Sequence, residues 1–246
     1  MCTLTLAWQV FEDAPVVVAA NRDEAFERPS TPPELIETDP SIVAPQDREA
    51  SGTWIGYNEH GVLVGVTNRW NDADLAGERS RGLLVRDALR REGAAAAARY
   101  VEQAIRDHEY AGFNLVIADR NSALYYEWDG RLQFRQLDPG VHVAVNVGAD
   151  GRYTIPIDRK SAGEQQAENA DRVREVLAVA PGEGVEGWRS RAESVLGDHE
   201  YGVCIHGDGF GTRSSSIITI GSDSSSYWFA DGPPCETSYR SVEESI

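Results

Sequence analysis

Val16-Val17-Val18-Ala19-Ala20-Asn21-Arg22-Asp23-Glu24 is an apolar run that stops abruptly at four polar side chains. A short, β-branched apolar run of this kind reads as a buried strand. Upstream, Thr3-Leu4-Thr5-Leu6-Ala7-Trp8 alternates with period two, and Phe11-Glu12-Asp13-Ala14-Pro15 between the two runs has turn composition. Together they read as a β-hairpin. With the turn centred between residues 12 and 13, the pairing sets Arg22 opposite Thr3 and Asp23 opposite Cys2, which brings a thiol beside a guanidinium and two carboxylates.

Working outward, Arg28-Pro29-Ser30-Thr31-Pro32-Pro33 is rich in breakers and leads through residues 34–46 without clear periodicity, so this stretch reads as a surface loop. Two strands, Gly52-Thr53-Trp54-Ile55-Gly56-Tyr57 and Val62-Leu63-Val64-Gly65-Val66-Thr67, flank a turn at Asn58-Glu59-His60-Gly61, and the second ends at Asn68-Arg69. From Arg81 the period becomes helical through Leu83, Leu84, Val85, Ala88 and Leu89, and a second, alanine-rich helix spans residues 94–105. Four strands then follow, at residues 113–118, 123–128, 131–137 and 141–145, with turn residues between them, and the block reads as an antiparallel meander ending at Asn146. Residues 167–179 and 187–196 read as helices, and residues 214–220 and 226–229 as a last hairpin. Strands, two helices, strands, helices and strands in that order predict an α+β fold. Its expected form is two antiparallel sheets stacked between helical layers, one domain over residues 1–246.

The chain carries 40 acidic residues against 23 basic ones, a net charge of -17. Such a surface excludes nucleic acid as a partner, because phosphate recognition needs a basic face. The start has neither a basic region nor a long apolar one, and no run approaches the roughly 18 apolar residues of a membrane span, so a soluble cytoplasmic protein is expected. Order is expected throughout except in the acidic tail, residues 243–246. Of the three cysteines, Cys204 and Cys235 read as free thiols, since their spacing is not that of a metal motif. His199 beside Cys204-Ile205-His206 is read as incidental, and the glycines of residues 207–211 as a turn and not a phosphate cradle, because a strand-like run follows them.

Position 2 gives a cysteine an unusual opportunity. Its side chain is small enough for Met1 to be removed, and the freed α-amine, with a reference pKa of about 7.7 to 8.0, could act as the base for its own thiol. Arg22 would favour the thiolate, and Asp23 could hold the ammonium. Asn68 and Asn146, each delivered by the end of a strand, are candidate amide donors to an oxyanion, and Arg213 is a candidate second positive charge.

Met1-Cys2-Thr3-Leu4, Asn21-Arg22-Asp23-Glu24, Gly52-Thr53-Trp54-Ile55-Gly56, Val66-Thr67-Asn68, Ser80-Arg81-Gly82, Ala144-Val145-Asn146 and Gly211-Thr212-Arg213-Ser214 occur in the order seen in the NRDE family. That family is also called the transport and Golgi organisation protein 2 family, and the resemblance covers nearly the whole chain. It implies the αββα fold of the N-terminal nucleophile hydrolases, in a form that resembles the choloylglycine hydrolase and penicillin V acylase branch. By position in the motifs it implies Cys2, Arg22, Asp23, Asn68, Asn146 and Arg213 as the catalytic set, with no cofactor. The expected reaction is hydrolysis of a carbon–nitrogen bond other than a peptide bond in a small amphipathic or acylated molecule. The alternatives are a carrier that uses the same pocket for haem or an acylated lipid, with Cys2 as an iron ligand in the haem case, and a partner-binding module with a vestigial site.

Lys160 is the only lysine, and arginine supplies every other strong positive charge. Acidic excess with almost no lysine fits a chain that stays hydrated in very high salt, where screening removes its self-repulsion. Unfolding measured across a salt titration tests this: stability rises with salt, and full stability in dilute buffer overturns the expectation.

Overall fold

The structure is a computed structural model that describes residues 2–243 and 246. The expected removal of Met1, and positions 244 and 245 of the acidic tail, lie outside the described residues. The hairpin forms as expected from β1 (Thr3–Trp8) and β2 (Val16–Ala25). Its register runs from Thr3 opposite Asn21 to Trp8 opposite Val16, one residue away from the expected pairing. Because side chains alternate, that single step exchanges the faces of everything on β2 relative to β1.

The chain continues with β3 (Ser30–Thr38), β4 (Ser41–Asp47), β5 (Ile55–Asn58) and β6 (Leu63–Asn68), then helices α1 (Arg81–Leu89) and α2 (Ala94–Asp107). Next come β7 (Phe113–Ala118), β8 (Ala123–Trp128), β9 (Leu132–Gln136), β10 (Gly140–Val145) and the short β11 (Gly148–Ala149) and β12 (Arg152–Tyr153). Helices α3 (Lys160–Val176) and α4 (Val185–Gly197) precede β13 (Phe210–Ile220), β14 (Ser225–Ala230) and β15 (Arg240–Ser241). One sheet has the order β12-β11-β10-β1-β2-β13-β14-β15, and the other the order β3-β4-β5-β6-β7-β8-β9.

The two sheets face each other through Leu4, Leu6, Val18 and Ile218 on one side and Val43, Ile55, Leu63 and Val116 on the other. The outer face of the second sheet is covered by α1 and α2 through Leu84, Leu89, Ala97 and Val101. Trp188, Val173, Leu177 and Leu196 of α3, α4 and their connection cover the first sheet over Val17, Ala19 and Ile217. The result is the four-layer αββα arrangement. Polar bonds pin the layers as well. Trp8 Nε1 donates to the Asp119 carbonyl across the sandwich, and Asn114 Nδ2 on β7 donates to the Val145 carbonyl on β10. The Asp119 carboxylate accepts from Ala94 N at the start of α2, where an anion is favoured. Among the described residues no helix is long and apolar enough to cross a membrane.

Three expectations are corrected. Residues 34–46 are not a loop: they form the paired β3 and β4, whose register slips between Thr31 and Glu34 and again between Leu35 and Glu37. Those bulges, beside Pro32-Pro33, erase the period-two signal. Residues 141–145 do not complete a meander, because β10 crosses to the other sheet and pairs with β1. Helix α3 begins at Lys160, ahead of its first expected residue, because its early buried positions are Gly163 and Gln166, which carry no apolar signature.

The start of α1 lies hard against the connection between β4 and β5. Thr53 N donates to the Gly82 carbonyl at 3.0 Å, and a Cβ on Gly52 would fall 2.2 Å from the Gly82 carbonyl carbon. Both partners are backbone, so neither can swing aside. Gly52→Ala is expected to cost roughly 1–3 kcal/mol, the range for overpacking; a melting temperature equal to the parent's would show that the approach is not rigid.

Candidate active site

Cys2 sits one residue before the central strand of its sheet. Continuing the pairing of Leu4 with Ala144 sets it opposite Asn146, and continuing the pairing of Thr3 with Asn21 sets it opposite Arg22. The apolar cores of β1, β2 and β10 thus end at one level, and the polar residue after each is delivered there. Cys2 N donates to Asn146 Oδ1 at 3.3 Å, and Cys2 Sγ lies 3.6 Å from the Asp23 carbonyl oxygen. The Asn146 side chain is held on three sides: Oδ1 also accepts from Gln166 Nε2 of α3 at 2.8 Å, and Nδ2 donates to the Asn68 carbonyl at 2.6 Å. It joins the ends of β6 and β10 to the helix layer.

Arg22 is buried, with its guanidinium 4.1 Å above the Trp54 ring. It lies 3.5 Å from Asp47 and 3.8 Å from Glu24. Burial pulls its pKa down, and the charges of Glu24 and Asp47 act against that fall. Asp23, one residue on, points to the opposite side of the strand by alternation. There its carboxylate accepts from Thr212 Oγ1 at 2.6 Å. Burial pushes the Asp23 carboxyl above the usual carboxylate range. The Cys2 thiol is likewise raised, first by burial and then by the Asp23 charge, while Arg22 acts in the other direction. A thiol in this state is mostly protonated at neutral pH and needs a base to react.

Arg81, the first residue of α1, lies close enough to Cys2 for their charges to interact, and burial lowers its pKa. Its Nη1 donates to the Gly112 carbonyl at 2.8 Å. Sequence reasoning gave it no role. Its signal was the motif Ser80-Arg81-Gly82, whose serine caps the helix by accepting from Gly82 N. Gln166 and Thr212 were missed as well. The first precedes the expected start of its helix, and the second stood in the motif Gly211-Thr212-Arg213-Ser214 with no role assigned to it.

Of the expected set, the structure gathers Cys2, Arg22, Asp23 and Asn146 at one place. Asn68 contributes its carbonyl to Asn146, and its own residue is exposed. Arg213 is the extra residue where the β13–β2 register slips between Thr212 and Ser214. The bulge turns its guanidinium to the Phe26 carbonyl, beyond the end of β2. Asn21 faces the helix layer, where Nδ2 donates to the Leu196 and Val203 carbonyls. A cavity of about 740 Å³ lies elsewhere, between β3 and the C-terminal segment, and includes none of these residues.

A family model described as Transport and Golgi organisation 2 matches residues 1–231. Among curated proteins, the Transport and Golgi organization protein 2 homolog of Homo sapiens is 26% identical over 230 residues, covering 85% of this chain and 83% of that protein. The Bos taurus homolog is 25% identical over 232 residues, with the same coverage of 85% and 83%. Among solved structures, penicillin V acylase from Agrobacterium tumefaciens aligns over 94% of this chain and 83% of its own, at 15% identity and a TM-score of 0.51. The Caenorhabditis elegans N-acylethanolamine-hydrolyzing acid amidase ortholog aligns over 88% and 92%, at 10% identity and a TM-score of 0.52. At such identities the likeness is one of fold, and that fold is the N-terminal nucleophile hydrolase sandwich.

The charges around the thiol have signs that can be tested. The Asp23 charge raises the Cys2 pKa, so Asp23→Asn should move the pH profile of Cys2 alkylation to lower pH. Arg22 lowers it, so Arg22→Met should move the profile to higher pH. Labelling rates read by mass spectrometry across pH would contradict this placement if both profiles coincide with the parent's.

Proposed function

The chain belongs to the Transport and Golgi organisation 2 family, and on that premise we propose that it is an amidohydrolase of the N-terminal nucleophile type. Its reaction would be hydrolysis of a carbon–nitrogen bond other than a peptide bond in a small amphipathic or acylated molecule. The observation that carries the reading is the bond from Cys2 N to Asn146 Oδ1, with the Cys2 sulfur at the Asp23 carbonyl: once Met1 is removed, that same nitrogen is the α-amine, and one residue would present nucleophile and base together.

In the proposed cycle, removal of Met1 frees the Cys2 α-amine, whose pKa of about 7.7 to 8.0 suits a base at neutral pH. The amine takes the thiol proton through a water as Sγ bonds to the amide carbonyl carbon, giving a tetrahedral oxyanion. The proton passes to the departing nitrogen as the carbon–nitrogen bond breaks, leaving a thioester on Cys2. Water, deprotonated by the same amine, then adds to the thioester carbonyl, and collapse releases the acid and restores the thiol. Asn146 holds the amine in line, and its remaining N–H and the Asn68 amide are the candidate oxyanion donors. Arg22 and Arg81 favour the thiolate, and Asp23 balances the ammonium.

An amphipathic substrate is supported by the surface just beyond Asp23. Phe26 and Phe210 are 40% and 42% exposed at the ends of β2 and β13. Arg213 lies beside them through its bond to the Phe26 carbonyl. An acyl chain would cover the rings, and Arg213 would meet an anionic group.

Intact mass and turnover test the proposal together. The purified chain should lack Met1 and hydrolyse N-acyl probes such as penicillin V or an N-acylethanolamine. Cys2→Ala should fall to background, and Asn146→Ala should lose on the order of 10²-fold in kcat. Full retention of Met1 with a Cys2 inert to thiol probes would overturn the hydrolase reading and favour the carrier of haem or acyl lipid.

A further inference from the structure

Away from Cys2, the connection between α4 and β13 meets the loop after β14, and four metal-binding side chains converge. We propose that His199, Cys204, His206 and Cys235 form a binding site for a soft divalent transition metal of the zinc class. One ligand atom from each of the four lies within 4.8 Å of all the others. The two sulfurs are 3.5 Å apart, and His206 Nε2 is 3.1 Å from Cys235 Sγ and 3.9 Å from Cys204 Sγ. The His199 and His206 rings have centroids 5.2 Å apart. Tetrahedral zinc with bonds of about 2.3 Å to sulfur and about 2.0 Å to nitrogen would hold its ligands roughly 3.4 to 3.8 Å from one another. The observed spacings bracket that range, and two thiolates with two neutral imidazoles balance a divalent charge.

The backbone holds these donors in place. His199 opens a short 3-10 turn capped by Asp198, whose carboxylate accepts from Glu200 N. Gly202, at φ +61, then reverses the chain. Cys204 and His206 flank Ile205 with the spacing that puts both on one side of an extended segment. Cys235 follows Pro233-Pro234 in a turn closed by bonds from Glu236 N and Thr237 N to the Pro233 carbonyl. Gly197 lets this loop approach the end of α4, since a Cβ there would lie 3.2 Å from the Pro234 carbonyl oxygen. The spacing of Cys204-Ile205-His206 gave no metal signature in sequence because the fourth ligand comes from a distant segment.

With four protein ligands the coordination shell is filled, so the metal is structural. It clips the C-terminal segment to the connection that carries Ile205. Ile205 N donates to Thr212 Oγ1 at 3.0 Å, and Thr212 Oγ1 in turn donates a hydrogen bond to Asp23 Oδ1. The clip therefore braces the segment that orients Asp23 behind Cys2.

Cobalt(II) titration of the reduced, chelator-treated full-length chain tests this without reference to turnover. About one equivalent per chain should bind, with the visible d–d and thiolate charge-transfer bands of a tetrahedral two-sulfur, two-nitrogen site, and zinc should bleach them. Cys235→Ser and His206→Ala, both at exposed positions, should stay folded by circular dichroism and lose the bands, while Cys2→Ala keeps them. Chelation should lower the melting temperature of the parent but not of Cys235→Ser. No bands in the parent chain, or bands that persist in both ligand variants, would overturn the proposal.

Discussion

The register of one central strand sets the geometry at Cys2. β1 lies between β10 and β2, and its three inward residues Leu4, Leu6 and Trp8 are buried between the sheets. Each such side chain contributes about 1.5–3 kcal/mol by leaving water, and the Trp8 indole is tied to the Asp119 carbonyl of the facing sheet. A slip of one residue would turn that set away from the core, so the pairing is strongly specified. With the pairing fixed, Asn146 and Arg22 must flank Cys2 on either side.

That place concentrates charge out of water, which is costly unless the charges are partnered. Arg22 rests on Trp54 and faces Asp47 and Glu24. Asp47 is in turn held by Arg28 and by the backbone N–H groups of Glu49 and Ala50. Arg81 is fixed by the Gly112 carbonyl, and the helix that carries it is seated by the contact of Gly82 with Gly52. The short motifs around Arg22, Trp54 and Arg81 are therefore one cluster in space. Their glycines permit the close backbone approach, and their charged and aromatic residues solvate one another in place of water.

Asn146 and Thr212 link this cluster to the rest of the molecule. Asn146 connects Cys2 to α3 and to the end of β6, so the spacing of both sheets is registered at Cys2. Thr212 connects Asp23 to Ile205, between Cys204 and His206. The site is supported by residues from both sheets and from the outer helical layer. Long sequence separations between those residues explain why few of them stand out in the chain alone.

What the sequence determined by itself was local. Period-two runs, helical spacing and turn residues located most of the strands and all four helices, and the order of those elements sufficed for an αββα fold. The motif residues also marked Cys2, Arg22, Asp23 and Asn146, which the structure gathers at one place, because an apolar run that ends in a polar residue shows where a sheet sets polar groups at its edge. Tertiary structure alone decided the rest. The bulged β3 and β4 lack a clean period, and β10 could be read as a hairpin partner until its pairing with β1 was seen. The one-residue register of the first hairpin sets Arg22, and not Asp23, opposite Cys2, Arg81 reaches the site through helix packing, and Cys235 joins its cluster from across the chain. Periodicity records which face of an element is buried, but it carries no information about which distant element covers that face.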